Sequence, residues 1–221
     1  MTSQPLTPEE FDAHLANRTL RLSFVGMSSC GKSHRSKMLA KERDFFWYQV
    51  DGDIQKALGL IGQEAVSAWL GYPTSQTYME RERRYIELEN EFTGHAAMQS
   101  LGKNFVFDTT GSVIHLDRAV LELVRENTLV VHLDVGEESL EDLMDIFFLK
   151  PKPVCWSGYF FQEKGESEES ALRRSYPILL KERLKRYREL AHININAREL
   201  YDMSGDKTLE IIRSKLKTNM I

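Results

Sequence analysis

A glycine-rich loop between a predicted strand and a predicted helix constrains this sequence more than any other feature. The apolar run at residues 20–25 leads into Gly26-Met27-Ser28-Ser29-Cys30-Gly31-Lys32-Ser33, which fits the spacing G-x-x-x-x-G-K-[ST]. In such a loop, successive backbone N–H groups point into one concavity, and the following helix presents its positive N-terminal end there. The pattern predicts a phosphate-binding loop. The alternative is an ordinary glycine turn between a strand and a helix.

The loop predicts a site for ATP and Mg²⁺. Lys32 can reach the β and γ phosphates, and the Ser33 hydroxyl is placed to hold Mg²⁺. Cys30 lies inside the loop beside a helix N-terminus, where the pKa of a thiol tends to fall. The residues predicted to bind the nucleotide in this region are Gly26, Met27, Ser28, Ser29, Cys30, Gly31, Lys32, Ser33 and His34.

Composition favours one globular domain, spanning residues 1–221, that binds a small ligand. The chain has 221 residues, of which 42% are hydrophobic and 28% charged. Its net charge of -4 argues against a nucleic acid or an anionic membrane as the partner. Two distant cysteines indicate neither a disulfide framework nor a zinc site. The sequence shows no secretory signal and no apolar run near 18 residues, so we expect a cytoplasmic protein.

Short apolar strands alternate with helices along the whole chain. Strands are predicted at residues 20–25, 45–50, 104–107, 129–134 and 192–195. The long helix predicted at residues 167–191 is expected to break or kink at Pro177. This alternation predicts a three-layer α/β fold, with a central parallel sheet of about five strands and helices on both faces. Because ligands bind at the carboxyl ends of such strands, residues 26–33, 51–53 and 108–112 should converge on one crevice.

The remaining candidate site residues have ordinary alternatives when they are judged singly. Asp108 follows an apolar strand and either orients Mg²⁺, as in other phosphate-loop enzymes, or caps the next helix. Asp51-Gly52-Asp53 is either part of the site or a plain turn. The charged run at residues 80–87 is by default a solvated helix face, and so is the surrounding of Arg183. The residues alone leave these alternatives open.

The order of these parts resembles shikimate kinase, a family with the nucleoside-monophosphate-kinase-like P-loop fold, over most of the chain. That family has a D-x-D after the second strand and an R-x-x-E on a helix of its substrate domain. It also has a G-G-G after the third strand, a lid bearing Arg-Pro, and a late R-x-P-L-Y segment. The corresponding stretches of this chain, in the same order, are residues 51–53, 84–87, 109–111, 150–153 and 183–187.

The resemblance implies a role for each matching residue. Asp53 would hydrogen-bond the acceptor hydroxyls and serve as base, while Asp51 would sit near Mg²⁺ with Ser33 and Asp108. Arg84 and Arg183 would clamp a substrate carboxylate, because the fork of a guanidinium matches two carboxylate oxygens. Residues implied to contact the acceptor or ATP from the remaining stretches are Thr110, Gly111, Lys150 and Lys152.

The resemblance also implies how the domain is divided. Residues 51–101 would form an acceptor-binding helical subdomain, and residues 150–170 a lid that closes over ATP and excludes water. The sequence leaves the oligomeric state open, and the family resemblance favours a monomer.

Departures from the family are concentrated on the acceptor side. The glycine triplet has become Thr109-Thr110-Gly111, and lysine replaces the lid arginine. A second register aligns residues 78–82 with the R-x-x-E helix and places Met79 at the arginine. We expect a kinase that transfers the γ-phosphate of ATP to a hydroxyl of a small anionic metabolite, with shikimate the first candidate. Alternatives are a related kinase for gluconate, adenylylsulfate or a nucleoside monophosphate, and a non-catalytic nucleotide-binding regulator.

Overall fold

A parallel sheet forms the centre of the computed structural model, which describes residues 6–99, 102–149 and 154–217. Five strands are present in these residues, and they lie in the order β2-β3-β1-β4-β5 with every pairing parallel. The strands are β1 (Arg21–Val25), β2 (Phe46–Gln49), β3 (Phe105–Asp108), β4 (Leu129–Asp134) and β5 (Ile193–Asn196).

Helices cover both faces of the sheet, which confirms the predicted three-layer α/β fold. Those in the described residues are α1 (Pro8–Ala16), α2 (Lys32–Arg43), α3 (Val50–Leu58), α4 (Gly62–Leu70), α5 (Tyr78–Met98), α6 (Arg118–Asn127), α7 (Leu140–Leu149), α8 (Glu168–Leu190) and α9 (Gly205–Ser214). None of the helices in this part of the chain is both long enough and apolar enough to cross a membrane.

Two local predictions differ from the structure. Helix α8 runs without interruption through Pro177, because apolar side chains before and after it, including Tyr176 and Leu179, are buried and keep the helix against the sheet. Strand β2 is shorter than predicted, because Val50 already begins α3. Residues 51–53 therefore occupy the first turn of α3, where carboxylates interact favourably with the helix dipole.

The core is divided by the sheet into two clusters. Side chains of successive strand residues point to opposite faces, so each strand contributes to both clusters. Val25, Phe105 and Phe107 pack in the larger cluster with α3 to α8. Leu22, Phe24 and Val106 pack in the smaller cluster with α1, α2 and α9. Burial on both faces explains why the strands are almost continuously apolar.

The strand order brings the polar segments together at one edge of the sheet. Asp108, at the end of β3, is in register with Phe24 of β1 on one side and with Gln49 of β2 on the other. The loop that leaves β1, the loop that leaves β3 and the first turn of α3 are therefore neighbours.

At the opposite edge, Arg21 joins three chain segments through backbone carbonyl groups. Its Nε donates to the carbonyl of Asn127 at 3.0 Å. Its Nη2 donates to Ala96 at 3.0 Å and to Ala97 at 3.1 Å, and its Nη1 donates to Gln99. These carbonyls belong to the ends of α5 and α6, where the last carbonyl groups of a helix have no N–H four residues further along. One guanidinium thus caps the C-terminal ends of two helices and fixes them to β1.

We expect Arg21→Met to lower the free energy of unfolding by about 2 kcal/mol or more, because several part-buried carbonyl groups lose their donor. Urea denaturation measures the change. Arg18→Met is the matched control, since Arg18 is exposed and its ion pair with Asp44 spans 3.9 Å. Its effect should stay within about 0.5 kcal/mol. Equal effects of the two substitutions would contradict this role of Arg21.

Candidate active site

The three polar segments line one cavity at the carboxyl ends of the strands. Its volume is about 300 Å³. The phosphate-loop residues that line it are Met27, Ser28, Ser29, Gly31, Lys32, Ser33 and His34. Asp51 lines it from α3, and residues 108–112 line it from the end of β3. The expected convergence of these segments is present in the structure.

Two glycines allow the loop to take its path. A Cβ atom on Gly26 would lie 2.9 Å from both Cys30 Sγ and the Leu133 carbonyl oxygen, and Gly26 has a φ of +144°. Gly31 has a φ of +100° and stands at the N-cap of α2, where no side chain in the described residues provides a capping hydrogen bond. The first N–H groups of α2 therefore face the cavity without a side-chain acceptor, an arrangement that suits a phosphate group.

Lys32 is folded back over the loop. Its Nζ donates to the carbonyl oxygens of Gly26 at 2.8 Å and Met27 at 2.9 Å. The ammonium is buried, so a positive charge is held at the floor of the cavity. The pKa of the Cys30 thiol is raised, contrary to expectation, because the effect of burial outweighs the opposite effect of Lys32. The pKa of this thiol is therefore not lowered by the helix N-terminus.

Two carboxylates face each other across the cavity. The Tyr85 hydroxyl donates to Asp51 Oδ1 at 3.4 Å, and Gln49 Nε2 donates to Asp108 Oδ2 at 3.3 Å. Burial raises the pKa of Asp51, and the negative charge of Asp108 raises it further. Two acidic groups that repel each other in this way would be stabilised by a cation between them.

The oxygen donors around these carboxylates fit Mg²⁺. Ser33, Asp51 and Asp108 line the same cavity, and hydroxyl and carboxylate oxygens are the ligands that Mg²⁺ prefers. Among the described residues, no cluster of three or more His, Cys, Asp or Glu side chains could hold a metal ion. Mg²⁺ would therefore need phosphate or water oxygens to complete its coordination, which is its usual mode of binding.

The structure does not bring Asp53 and Arg84 into the cavity. Asp53 accepts hydrogen bonds from the Tyr48 hydroxyl at 2.7 Å and from Lys56 at 2.9 Å. Burial acts to raise the pKa of Asp53, but these two hydrogen bonds lower it overall. Arg84 is exposed and pairs with Glu87 at 3.4 Å. The reason is the phase of the helices, because the neighbours that turn inward are Asp51 on α3 and Tyr85 on α5.

Other residues predicted to bind the acceptor do line the cavity. Arg183 is buried on α8, and its Nη2 donates to the Cys155 carbonyl at 2.8 Å. Gly111 lies between Arg183 and the phosphate loop. A Cβ atom on Gly111 would lie 3.6 Å from Arg183 Nη1 and 3.8 Å from the Ser28 nitrogen. Thr110 lines the cavity as well. Lys150 and Lys152 lie outside the described residues.

Solved structures of shikimate kinases have a similar backbone. The enzyme from Acinetobacter baumannii in complex with shikimate has a TM-score of 0.60 and 22% identity, with 94% of this chain and 99% of that chain covered. The enzyme from Bacteroides thetaiotaomicron has a TM-score of 0.60 and 18% identity, with 88% and 97% covered. The enzyme from Aquifex aeolicus has a TM-score of 0.52 and 17% identity, with 89% and 95% covered.

This chain has a shikimate kinase-like P-loop kinase fold. No protein-family model matches the sequence, and no curated protein matches it either. At identities of 17 to 22%, the likeness establishes the arrangement of the strands and helices and leaves the substrate open.

Behind the cavity of this P-loop kinase fold lies a buried acid that was not among the predicted site residues. Glu89 on α5 accepts hydrogen bonds from the hydroxyl of Ser112 at 2.5 Å and from that of Thr110. Burial raises the pKa of Glu89 to about 7, although both hydroxyl groups act in the opposite direction. Glu89 therefore fixes the loop that follows β3. That loop forms one wall of the cavity.

A sequence signal for this acid does exist. The buried residues Tyr78, Glu82, Tyr85 and Glu89 are spaced four, three and four residues apart, so they share one face of α5. Aromatic residues at this spacing indicate a buried face, and the two acids fall on that face within a run that otherwise looks solvated.

The same face holds part of the predicted lid. The Trp156 N–H donates to the Tyr78 hydroxyl at 3.0 Å, and the Ser157 N–H donates to Glu82 Oε1 at 2.9 Å. Val154, Cys155 and Trp156 are buried. This part of the chain is therefore attached to α5 in the structure.

The raised pKa of Glu89 predicts a pH dependence of stability. Its folded-state pKa of about 7 exceeds the ordinary value of 4.5, so the unfolded chain releases this proton at lower pH than the folded protein does. The contribution of Glu89 to the free energy of unfolding should fall by about 3 kcal/mol between these two pH values and then level off.

Glu89→Gln removes the titrating group and should flatten this part of the pH profile. Urea unfolding followed by tryptophan fluorescence from pH 5 to pH 8 measures the difference between the two proteins. Glu87→Gln is the matched control, because Glu87 is exposed on the same helix. A profile for Glu89→Gln that runs parallel to that of the unchanged protein would show that Glu89 is ionised throughout.

Proposed function

We propose that this protein is a kinase that transfers the γ-phosphoryl group of ATP to a hydroxyl group of a small anionic metabolite. One observation carries the proposal: the phosphate loop, the facing carboxylates Asp51 and Asp108, and the buried guanidinium of Arg183 line a single cavity. Shikimate is the first acceptor to test, because one of the similar structures is a shikimate kinase in complex with shikimate. ATP is abundant in the cytoplasm, where we propose that the protein acts.

On the donor side, the N–H groups of the loop and of the first turn of α2 would bind the phosphates. The ammonium of Lys32 would leave the carbonyls of Gly26 and Met27 and pair with the β and γ phosphates, where charge develops during transfer. Ser33, Asp51 and Asp108 would hold Mg²⁺, which neutralises phosphate charge when it is bound.

On the acceptor side, the structure supports a smaller set of residues than the sequence did. Arg183 would bind the negative group of the acceptor beside Gly111, close to the phosphate loop. Helices α3, α4 and α5 supply Asp51, Gln63 and Tyr85 to the cavity, so we propose residues 51–101 as the acceptor-binding part. We propose residues 150–170 as the lid.

The transfer itself needs position and charge more than covalent chemistry. The acceptor oxygen forms a bond to the γ-phosphorus as the bond from that phosphorus to the bridging oxygen of ADP breaks. The bridging oxygen keeps the electron pair, and the acceptor proton passes to solvent water. Because such a transition state is loose, the acceptor hydroxyl needs no strong base.

Lys32→Ala tests the proposal. We expect turnover to fall by about a hundredfold or more, since the ammonium stabilises charge that develops only during transfer. ADP formation with each candidate acceptor measures the rate, and circular dichroism checks that the fold is kept. Lys41→Ala is the matched control because Lys41 is exposed in the last turn of the same helix; it should keep full activity.

Calorimetry with ATP at millimolar Mg²⁺ gives the more direct test. Well-folded protein that binds no adenine or guanine nucleotide would rule the kinase out. The acceptors to offer are shikimate, gluconate, adenylylsulfate and nucleoside monophosphates. Nucleotide binding without product from any metabolite would instead favour a regulator that binds nucleotides.

A further inference from the structure

The cavity has an apolar wall that the proposed chemistry does not explain. The polar floor is formed by the phosphate loop and the strand ends. The facing wall comes from α7, α8 and the segment between them, and it consists of Leu143, Ile146, Phe147, Val154, Tyr176 and Leu180. One side of the cavity is therefore bounded mainly by hydrocarbon.

Helix geometry makes this wall continuous. Leu143, Ile146 and Phe147 are three and four residues apart on α7, so they share one face. Tyr176, Leu180 and Arg183 share one face of α8 in the same way, and the guanidinium of Arg183 stands at its end.

Aromatic packing makes the wall stiff. The rings of Phe147 and Tyr176 are stacked with centroids 4.3 Å apart. Trp156, which is buried, lies 5.7 Å from Tyr176 and 6.4 Å from Phe147. Ile146 is 43% exposed, so part of the wall is open to an incoming molecule. A preformed apolar surface of this kind favours an apolar ligand face.

The charge of the cavity suits one anionic group on the acceptor. Arg183 is 4% exposed, and its Nε has no hydrogen-bond partner among the described residues. The same guanidinium borders the cavity beside Gly111, where it would bind an oxyanion. Lys32 is committed to the loop and, in the proposed reaction, to the phosphates of ATP.

Two residues that the family resemblance implies for the acceptor, Asp53 and Arg84, are engaged outside the cavity. Asp53 is bound to Tyr48 and Lys56, and Arg84 is paired with Glu87 on the surface. A hydroxyl group placed against the apolar wall would lose its hydrogen bonds to water, which lowers affinity by about tenfold for each hydroxyl. The wall therefore selects against a polyhydroxylated ring.

We infer that the acceptor is an alcohol that carries one carboxylate on an apolar ring, with few hydroxyl groups besides the one that is phosphorylated. Its carboxylate binds Arg183, its ring lies against the wall of α7 and α8, and its hydroxyl faces the phosphate loop. The inference rests on the proposed kinase function and specifies the class of acceptor.

Two acceptors that differ only in hydroxyl number test the inference. Shikimate carries three hydroxyl groups on a cyclohexene carboxylate, and 3-hydroxycyclohex-1-ene-1-carboxylate carries one. We expect kcat/KM for ADP formation to be at least about tenfold higher with the single-hydroxyl acid, because two unpaired hydroxyl groups are avoided. The methyl ester of that acid should be a poor acceptor, since it offers Arg183 no charge.

A pair of variants on α7 locates the ring. Ile146→Asn places a polar group on the wall and should raise KM for the single-hydroxyl acid about threefold to tenfold, with KM for ATP unchanged. Leu149→Asn is the matched control, because Leu149 is 80% exposed on the same helix and lies outside the cavity. It should leave both constants unchanged.

Three results would overturn the inference. They are equal or better turnover of shikimate, turnover of neither acid by protein that binds ATP, and a raised KM for ATP in Ile146→Asn, which would assign the wall to the nucleotide base. Calorimetry with ATP and Mg²⁺, done before an acceptor is added, distinguishes failure of this inference from failure of the proposed kinase function. Loss of nucleotide binding would refute the kinase itself, whereas these results refute the class of acceptor alone.

Discussion

The close approach of the main chain at Gly26 is the constraint on which the rest of the site depends. The carbonyl of Leu133, at the end of β4, leaves no room there for a side chain, and the loop can turn only because Gly26 adopts a positive φ. The turn brings the first amides of α2 to the carboxyl end of β1, between the ends of β3 and β4. The sheet thus supplies both the position and the direction of the phosphate-binding groups, and Gly26 lets the loop pass close to β4.

Around this rigid loop, buried charge is compensated unequally. Lys32 is satisfied by carbonyl groups of its own loop, and Glu89 is satisfied by two hydroxyl groups. Burial and the negative charge of Asp108 raise the pKa of Asp51, and Arg183 retains a buried nitrogen without a partner among the described residues. Buried polar groups are normally paired, so those that remain unpaired in a cavity mark where a ligand binds. The unequal pairing separates residues that build the cavity from residues that face its contents.

Much of the fold could be predicted from the sequence, because strand periodicity and the loop spacing are local signals. The five strands and the convergence of their polar ends required only apolar runs and the rule for parallel sheets. The position of Asp53 and Arg84 outside the cavity could not be predicted, because each residue along a helix turns the side chain by about 100° and the phase of the helix was unknown. The apolar wall could not be found, since Leu143 and Phe147 look the same in sequence whether they fill a core or line a cavity. Only the packing of α7 on α8 distinguishes the two.

The inward face of α5 has a mechanical consequence. Tyr78 holds the segment around Trp156, and Glu89, eleven residues further along, holds the loop after β3. An α-helix is stiff over the roughly 16 Å that separate them. A displacement of α5 along its axis at one end is therefore transmitted to the other end. A movement of the segment around Trp156 that shifts α5 would also move Thr110 and Ser112.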